Sequence, residues 1–596
     1  MISQFVIHTL KIYGQPYGLA MVPMGADERE TVLRTSSEQR IREMTEQGWW
    51  GTDRLDDLFT RAVQASPHRT ALIDPLDRTQ FTDGEPKRWT FSELSLLADN
   101  LTADLYNEGL RQNDIVVVQL PNIAELAILY LALDKLGVII SPVPMQYGPF
   151  ELSKANELLS PAAYISVSHF KGKAFAEGHL GSFDSACTRL CFGEGVPDGM
   201  DALALDNNGN RDNGPSRQYQ RSLTLCANDI FTICWTSGTT GLPKGVPRSH
   251  NMWMASAMGA HDVAQMRDHE VLLNPFPLVN MAAIGGFLYC WLMRECTLVL
   301  HHPFDMQVYL QQIQQEQVAY TIAPPAVLTM LLNRRDILDS VDVSSLRAIG
   351  SGSAPLSEFM VAGFGNDFGI EILNIFGSNE GICLASGPQD VPVFADRAHY
   401  FPRFGVEGFE WSNRAAAFTR TRLVSLDSRE EIQSAGEPGE LEVWGATLFD
   451  GYYQSTLANE EVFTADGYFR TGDVFQIASS GGQPDLYQFV GRCKDIIVRG
   501  GVNISPAEID NELTAHPKLA EVCVVGVDDP VLGERVGVAV VPKPEQSVDL
   551  KDITSFLEER GMAVFKFPER LVCVEALPYN ATGKVQRRDV RQLFDT

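Results

Sequence analysis

Apolar positions along the chain repeat with two different periods. Over 92–108, Leu94, Leu97, Leu101 and Leu105 recur three and four apart, which places them on one face of a helix. Shortly after, DIVVVQL at 114–120 is a continuous β-branched run of strand length, which predicts a strand buried on both faces. An apolar helix over 124–137 and a second strand at 138–143 follow. Strand, helix, strand in that order predicts an α/β fold with a parallel sheet. The same grammar returns at 231–235, 271–274, 297–300 and 346–350. After Gly491 it changes. A helix at 506–515, strands at 520–527 and 537–542 and a helix at 549–561 predict a small α+β unit of roughly 100 residues. The expected organisation is a polar, helical or loose lead-in over 1–48, a large α/β domain over 49–490 and a small domain over 491–596. Residues 193–223, rich in Gly, Asn, Asp and Ser, read as a surface loop.

Composition narrows the function classes. The chain has 596 residues, too many for one compact domain. With 48 Lys+Arg against 76 Asp+Glu, the net charge of -28 disfavours nucleic acid and anionic membranes as partners. A phosphorylated ligand must then find a local site of backbone amides and a few placed cations. The ten cysteines contain no C-x-x-C pair or zinc spacing, as expected of free thiols in a reducing compartment. The N-terminus lacks a basic-then-apolar leader layout. The most apolar stretches, 126–143 and 284–300, are broken by Asp134, Lys135, Arg294 and Glu295, so no membrane span is expected. These features point to a cytoplasmic protein and leave its oligomeric state open, monomer or homodimer.

The sharpest chemical signal is TSGTTGLPKGVPRSH at 236–250, directly after the apolar strand FTICW. Such a loop offers unblocked backbone N–H groups, the hydroxyls of Thr236, Ser237, Thr239 and Thr240, close backbone approach at Gly238 and Gly241, and the charge of Lys244. That combination suits a triphosphate. It is not the Walker pattern, because Lys244 lies between Pro243 and Gly245. Nor does a strand–GxGxxG–helix dinucleotide fingerprint occur, which argues against a Rossmann-type oxidoreductase.

This loop resembles the phosphate-binding signature of the adenylate-forming superfamily: acyl- and aryl-CoA synthetases, peptide-synthetase adenylation domains and luciferases. Further segments from about Trp49 onward resemble the family's other motifs in order. AIGSGSAPL at 348–356 resembles the segment that brings backbone, here Gly352, Ser353 and Ala354, to adenine and the acyl carboxylate. NIFGSNEG at 374–381 resembles the aromatic–Gly–x–Thr–Glu motif. The resemblance implies that Asn374, Ile375 and Phe376 flank the adenine and the acid, with Phe376 stacked on the base. It also implies that Glu380 holds Mg²⁺; the usual Thr is Asn379. YFRTGD at 468–473 resembles the motif whose aspartate, here Asp473, accepts from the ribose hydroxyls.

GRCKDIIVRGGVNIS at 491–505 resembles the hinge before a mobile small domain. The resemblance implies Arg492 at the ribose or phosphate, Lys494 at the pivot and 499–503, including Asn503, along a thiol channel. LPYNATGKVQRR at 577–588 resembles the motif of the catalytic lysine. Lys584 would neutralise charge building between the attacking carboxylate and the α-phosphate, a role worth ~2.7–4 kcal/mol for a single transition-state donor. The implied reaction is ATP-dependent formation of an acyl-adenylate with release of pyrophosphate, aided by Thr239, Glu380 and Lys584. The acyl group then passes to coenzyme A or to a carrier protein's phosphopantetheine. A fold that has kept binding and lost catalysis is the contrasting class.

The acid is suggested by NPFPLVNMAAIGGF at 274–287. KDIIVRGGVNIS is similar to medium-chain and alicyclic acyl-CoA synthetases, whereas VPRSHN, PPAVLTMLL and FKFPERLVCVEALP are similar to 2,3-dihydroxybenzoate–AMP ligases. Those ligases have His-Asn-Tyr near Asn280–Ala282 and Ser-Ser near Gly285 and Gly286. The residues here cannot offset the burial of two hydroxyls. Met281 adapts in shape and the two glycines make room, so a largely apolar acid is expected.

Overall fold

The computed structural model describes residues 33–205, 212–236, 243–480, 482–499, 502–560, 562, 564–579 and 585–595. Two compact units emerge, Met1–Arg420 with Val443–Phe469, and Thr421–Glu442 with Arg470–Thr596. The second unit therefore takes in the 491–596 segment together with two earlier stretches of chain.

The first unit is built on two large sheets. One runs Lys244–Ser249, Ile230–Thr236, Ile139–Pro142, Ile115–Gln119, Ala163–Val167, Thr188–Phe192, Asp201–Leu203 in spatial order. Apart from the antiparallel edge strand Lys244–Ser249, its strands pair in parallel. The other runs Cys383–Ser386, Glu371–Gly377, Ala348–Gly352, Tyr320–Ile322, Val271–Asn274, Thr297–Leu300, Thr70–Ile73, Arg88–Thr90, parallel except at its two edges. The apolar runs read from the sequence are these strands, and Ile115–Gln119 is buried at every residue. The helix Ala124–Lys135 is buried from Ala124 to Asp134, which explains why it is apolar all round rather than striped. It shares one continuous core with the helix Phe91–Asn107 and one face of the second sheet.

In the second unit the hairpin Phe469–Ser480 with Gln483–Arg492 precedes a sheet in the order Val502–Ile504, Ile497–Arg499, Gly533–Pro542, Leu519–Asp529. Arg570–Cys573 pairs in parallel with Gly533–Pro542. The helices Pro506–Thr514 and Leu550–Glu559 bury Ile509, Leu513, Ile553 and Leu557 against Val524, Val536, Val538 and Val540.

One expectation needs correction. The 193–223 stretch is not only loop: it holds the strand Asp201–Leu203 and the helix Gly214–Ser222. Pro215 starts that helix, where its missing N–H costs nothing. In the lead-in, Glu38–Glu46 is a helix capped by the Ser37 hydroxyl. Among the described residues no helix is long and apolar enough to cross a membrane. All ten cysteines are free thiols.

Candidate functional site

The strands on either side of the 237–243 segment pair with each other. Thr236, the last residue of one strand, pairs with Lys244, the first of the next. Ser237, Gly238, Thr239, Thr240 and Gly241 lie outside the described residues, as does Lys584. The Lys244 ammonium sits 4.6 Å from the centre of the Tyr452 ring, within cation–π range. The Tyr452 hydroxyl in turn donates to Glu380 Oε1 at 2.9 Å. Lys244, Tyr452 and Glu380 thus form one chain of contacts. The sequence reading missed Tyr452; its only signal was the pair Tyr452–Tyr453 following Gly451.

Glu380 is buried and its backbone is mounted on the 445–452 segment. Its carbonyl accepts from the Phe449 amide at 2.8 Å, and the next residue's carbonyl accepts from the Thr447 hydroxyl at 2.7 Å. Gly381 has φ +111°, and a Cβ there would lie 2.0 Å from the Thr447 carbonyl oxygen. Only glycine allows this approach. The lead-in braces the same segment. Arg40 donates to the carbonyls of Gly445 and Leu448, both at 2.9 Å, and pairs with Asp450 at 2.9 Å. Just past the lead-in, Trp50 donates to the Ala446 carbonyl at 3.0 Å.

Asn379 uses both ends of its amide within the protein. Its Nδ2 donates to the Trp235 carbonyl at 2.9 Å and its Oδ1 accepts from the Met281 amide at 2.8 Å. It ties the strand Ile230–Thr236 to the turn Met281–Ala283. Asn280 caps the turn Met281–Ala283, accepting from the Ala283 amide at 3.1 Å. That turn runs into a π-helix, Ile284–Tyr289, an unusual form that recurs at functional sites. Gly285 packs against the helix His250–Ala264, whereas a Cβ on Gly286 would meet nothing within 4 Å. Ile375 and Gly352 are neighbours across paired strands. The Asn374 Nδ2 donates to the carbonyls of Arg397 and Ala398 at 3.1 and 3.0 Å. Phe376 is half-buried and meets Phe401 edge-on. Ser353 and Ala354 are exposed, Ser353 with φ +69°.

Arg248 was not foreseen. It is fully buried and ion-pairs with no described carboxylate. Its guanidinium donates to the carbonyls of Asn379 (3.0 Å), Met252 (2.9 Å) and Thr447 (2.8 Å) and to the Ser256 hydroxyl (2.8 Å). It also lies 3.2 Å from the Met281 sulfur. Burial pulls its pKa down to about 10, which still leaves it charged at neutral pH. The signal was present as one arginine in an otherwise buried strand.

In the second unit Asp473 is buried, opposite Arg492 in the hairpin register and 2.7 Å from its Nε. Lys494 is exposed. Asn503 lies in the short strand Val502–Ile504, whose backbone pairs with Ile497–Arg499. Arg499 is engaged by Glu569 at 2.9 Å.

The first unit joins Lys244, Tyr452 and Glu380 in one chain of contacts, and the family comparisons identify the chain as an adenylate-forming ligase. The chain belongs to the AMP-binding enzyme family: the AMP-binding enzyme model matches residues 59–453 and the AMP-binding enzyme C-terminal domain model matches 508–584. It is 27% identical over 559 residues to the medium-chain fatty-acid–CoA ligase of Escherichia coli (strain K12), covering 93% of each chain. It is 25% identical over 562 residues to the vibriobactin-specific 2,3-dihydroxybenzoate-AMP ligase of Vibrio cholerae serotype O1, covering 92% of this chain and 95% of that protein. The ATP-bound structure of MatB from Rhodopseudomonas palustris shares the fold, with a TM-score of 0.73 and 22% identity over 91% of this chain and 99% of that one.

Proposed function

We propose that this AMP-forming ligase activates a largely apolar carboxylic acid and transfers the acyl group to coenzyme A. The observation that carries the acid class is the acid-side segment. There Met281, Ala282, Gly285 and Gly286 stand where the dihydroxybenzoate ligases carry ring-binding polar groups, and Met281 and Ala282 pack against the large apolar core. The Met281 and Ala283 amides of this turn already donate to Asn379 and Asn280.

The roles are assigned by residue. The loop 236–244 holds the phosphates through its amides, hydroxyls and Lys244. Glu380 supplies a carboxylate oxygen to Mg²⁺. Among the described residues no group of three or more His, Cys, Asp or Glu could hold a metal. A lone carboxylate fits an ion that arrives on nucleotide phosphates. The ion would screen phosphate charge. Asp473 accepts from the ribose hydroxyls, with Arg492 beside it. Lys584 meets the charge that develops as the carboxylate attacks the α-phosphorus. Lys494 is assigned the pivot of the small domain and Asn503 the thiol channel. The protein is placed in the cytoplasm. The second reading, a carrier-protein phosphopantetheine as acceptor, is favoured by the likeness to an aryl-acid AMP ligase.

Carboxylate-dependent ATP–pyrophosphate exchange tests the reading, run over medium-chain, alicyclic and simple aryl acids beside 2,3-dihydroxybenzoate. Exchange is expected with the first groups and little with the last, falling about 10²–10³-fold in Lys584→Ala. Thioester formation with free CoA, compared with a phosphopantetheinylated carrier, decides the acceptor. No exchange with any acid by folded protein with Mg²⁺ overturns the enzyme reading.

A further inference from the structure

One tyrosine beside the acid-side residues has no role in the scheme above. Tyr320 begins the strand Tyr320–Ile322 and is 2% exposed. Its ring stacks on Phe287 of the π-helix, with centroids 5.5 Å apart. No hydrogen bond joins its hydroxyl to a described residue, and the oxygen is not among the enclosed polar atoms that lack a partner, so it borders space that a ligand or a water can enter.

Its position is specific. The register sets Tyr320 opposite Ala348 and Ile322 opposite Gly350, so these side chains share one sheet face. Gly350 and Gly352 leave that face bare. A Cβ on Gly350 would lie 2.8 Å from the Tyr320 hydroxyl oxygen and 2.9 Å from Ile375 Cδ1. The tyrosine therefore occupies the room a side chain at 350 would need, and its oxygen sits on the apolar surface beside Ile375. Burial raises its pKa, so the phenol keeps its proton at neutral pH and is available as a donor.

We propose that Tyr320 determines specificity: its ring closes the acid site between Phe287 and Gly350, and its hydroxyl selects an acid that carries one hydrogen-bonding atom at the end remote from the carboxylate. The inference rests on the reading of this chain as an acid-activating ligase. It adds one polar point to an otherwise apolar acid.

The test compares isosteric acid pairs in ATP–pyrophosphate exchange, 6-hydroxyhexanoate with heptanoate and 4-hydroxybenzoate with 4-methylbenzoate. Wild type is expected to favour the hydroxylated member of the better-bound pair by kcat/KM. Tyr320→Phe is expected to shift that ratio roughly tenfold toward the methyl member, the worth of one hydrogen bond. Gly350→Ala is expected to shift it the same way by displacing the hydroxyl, and to add little in the Tyr320→Phe background. Thermal melting checks that each variant is folded. If wild type exchanges with these acids but Tyr320→Phe leaves both ratios unchanged, the hydroxyl serves a water or nothing and the proposal falls. If wild type exchanges with no acid, the enzyme reading fails instead.

Discussion

Glu380 in the first unit and Asp473 in the second are both buried carboxylates assigned to the nucleotide, and their partners differ in charge and exposure. Glu380 is held by a neutral phenol, and its own backbone is fixed by Phe449 and, through Gly381, Thr447. Asp473 faces a cation, Arg492, whose side chain is 45% exposed. A partly exposed ion pair contributes about 0–1 kcal/mol, because water screens it and competes for the same groups. Arg492 can therefore be exchanged for another partner at little cost. The Glu380 mount cannot be exchanged so easily, since undoing it strands backbone groups out of water. One carboxylate is held by a neutral donor on a fixed backbone; the other is held by a partly exposed cation.

Four changes would break or sharpen that contrast. Glu380→Gln keeps the size and removes the charge; exchange is expected to fall about 10²–10³-fold, with part of the loss recovered at high Mg²⁺. An unchanged rate would remove Glu380 from the chemistry. Arg248→Met is expected to lower stability by about 3 kcal/mol in urea unfolding, because it leaves several buried acceptors unpaired around Asn379 and Thr447. Stability near wild type would show that those carbonyls are served by water. Asp473→Asn is expected to raise KM for ATP about tenfold or more while leaving KM for the acid alone, as suits hydrogen bonds to a charged group worth about 1.5–3 kcal/mol. Tyr452→Phe should be the mildest, about fivefold in exchange, from loss of one neutral hydrogen bond of about 1 kcal/mol while the ring stays under Lys244. A loss as large as that of Glu380→Gln would make the phenol part of the chemistry.

Much of this was legible in the chain alone. Buried parallel strands must be apolar at every position and amphipathic helices must repeat at three and four, so runs such as Ile115–Gln119 and the Phe91–Asn107 face announce their elements locally. The motifs were legible for the same reason: a loop expected to take phosphate on its own amides and hydroxyls is contiguous in sequence, as at 236–244. What the sequence could not show are residues brought together from far apart. Tyr452 meets Glu380 across 72 positions, and Arg40 reaches Gly445 across 405. Nothing next to Arg248 in sequence names its partners; burial with a ring of carbonyl acceptors, brought from Met252, Asn379 and Thr447, makes it structural. Asn379 looked like a weakened threonine, whereas the fold gives both ends of its amide a partner. Local periodicity and contiguous loops are written in neighbouring residues; the pairing of distant polar groups is decided by which surfaces the hydrophobic core brings face to face.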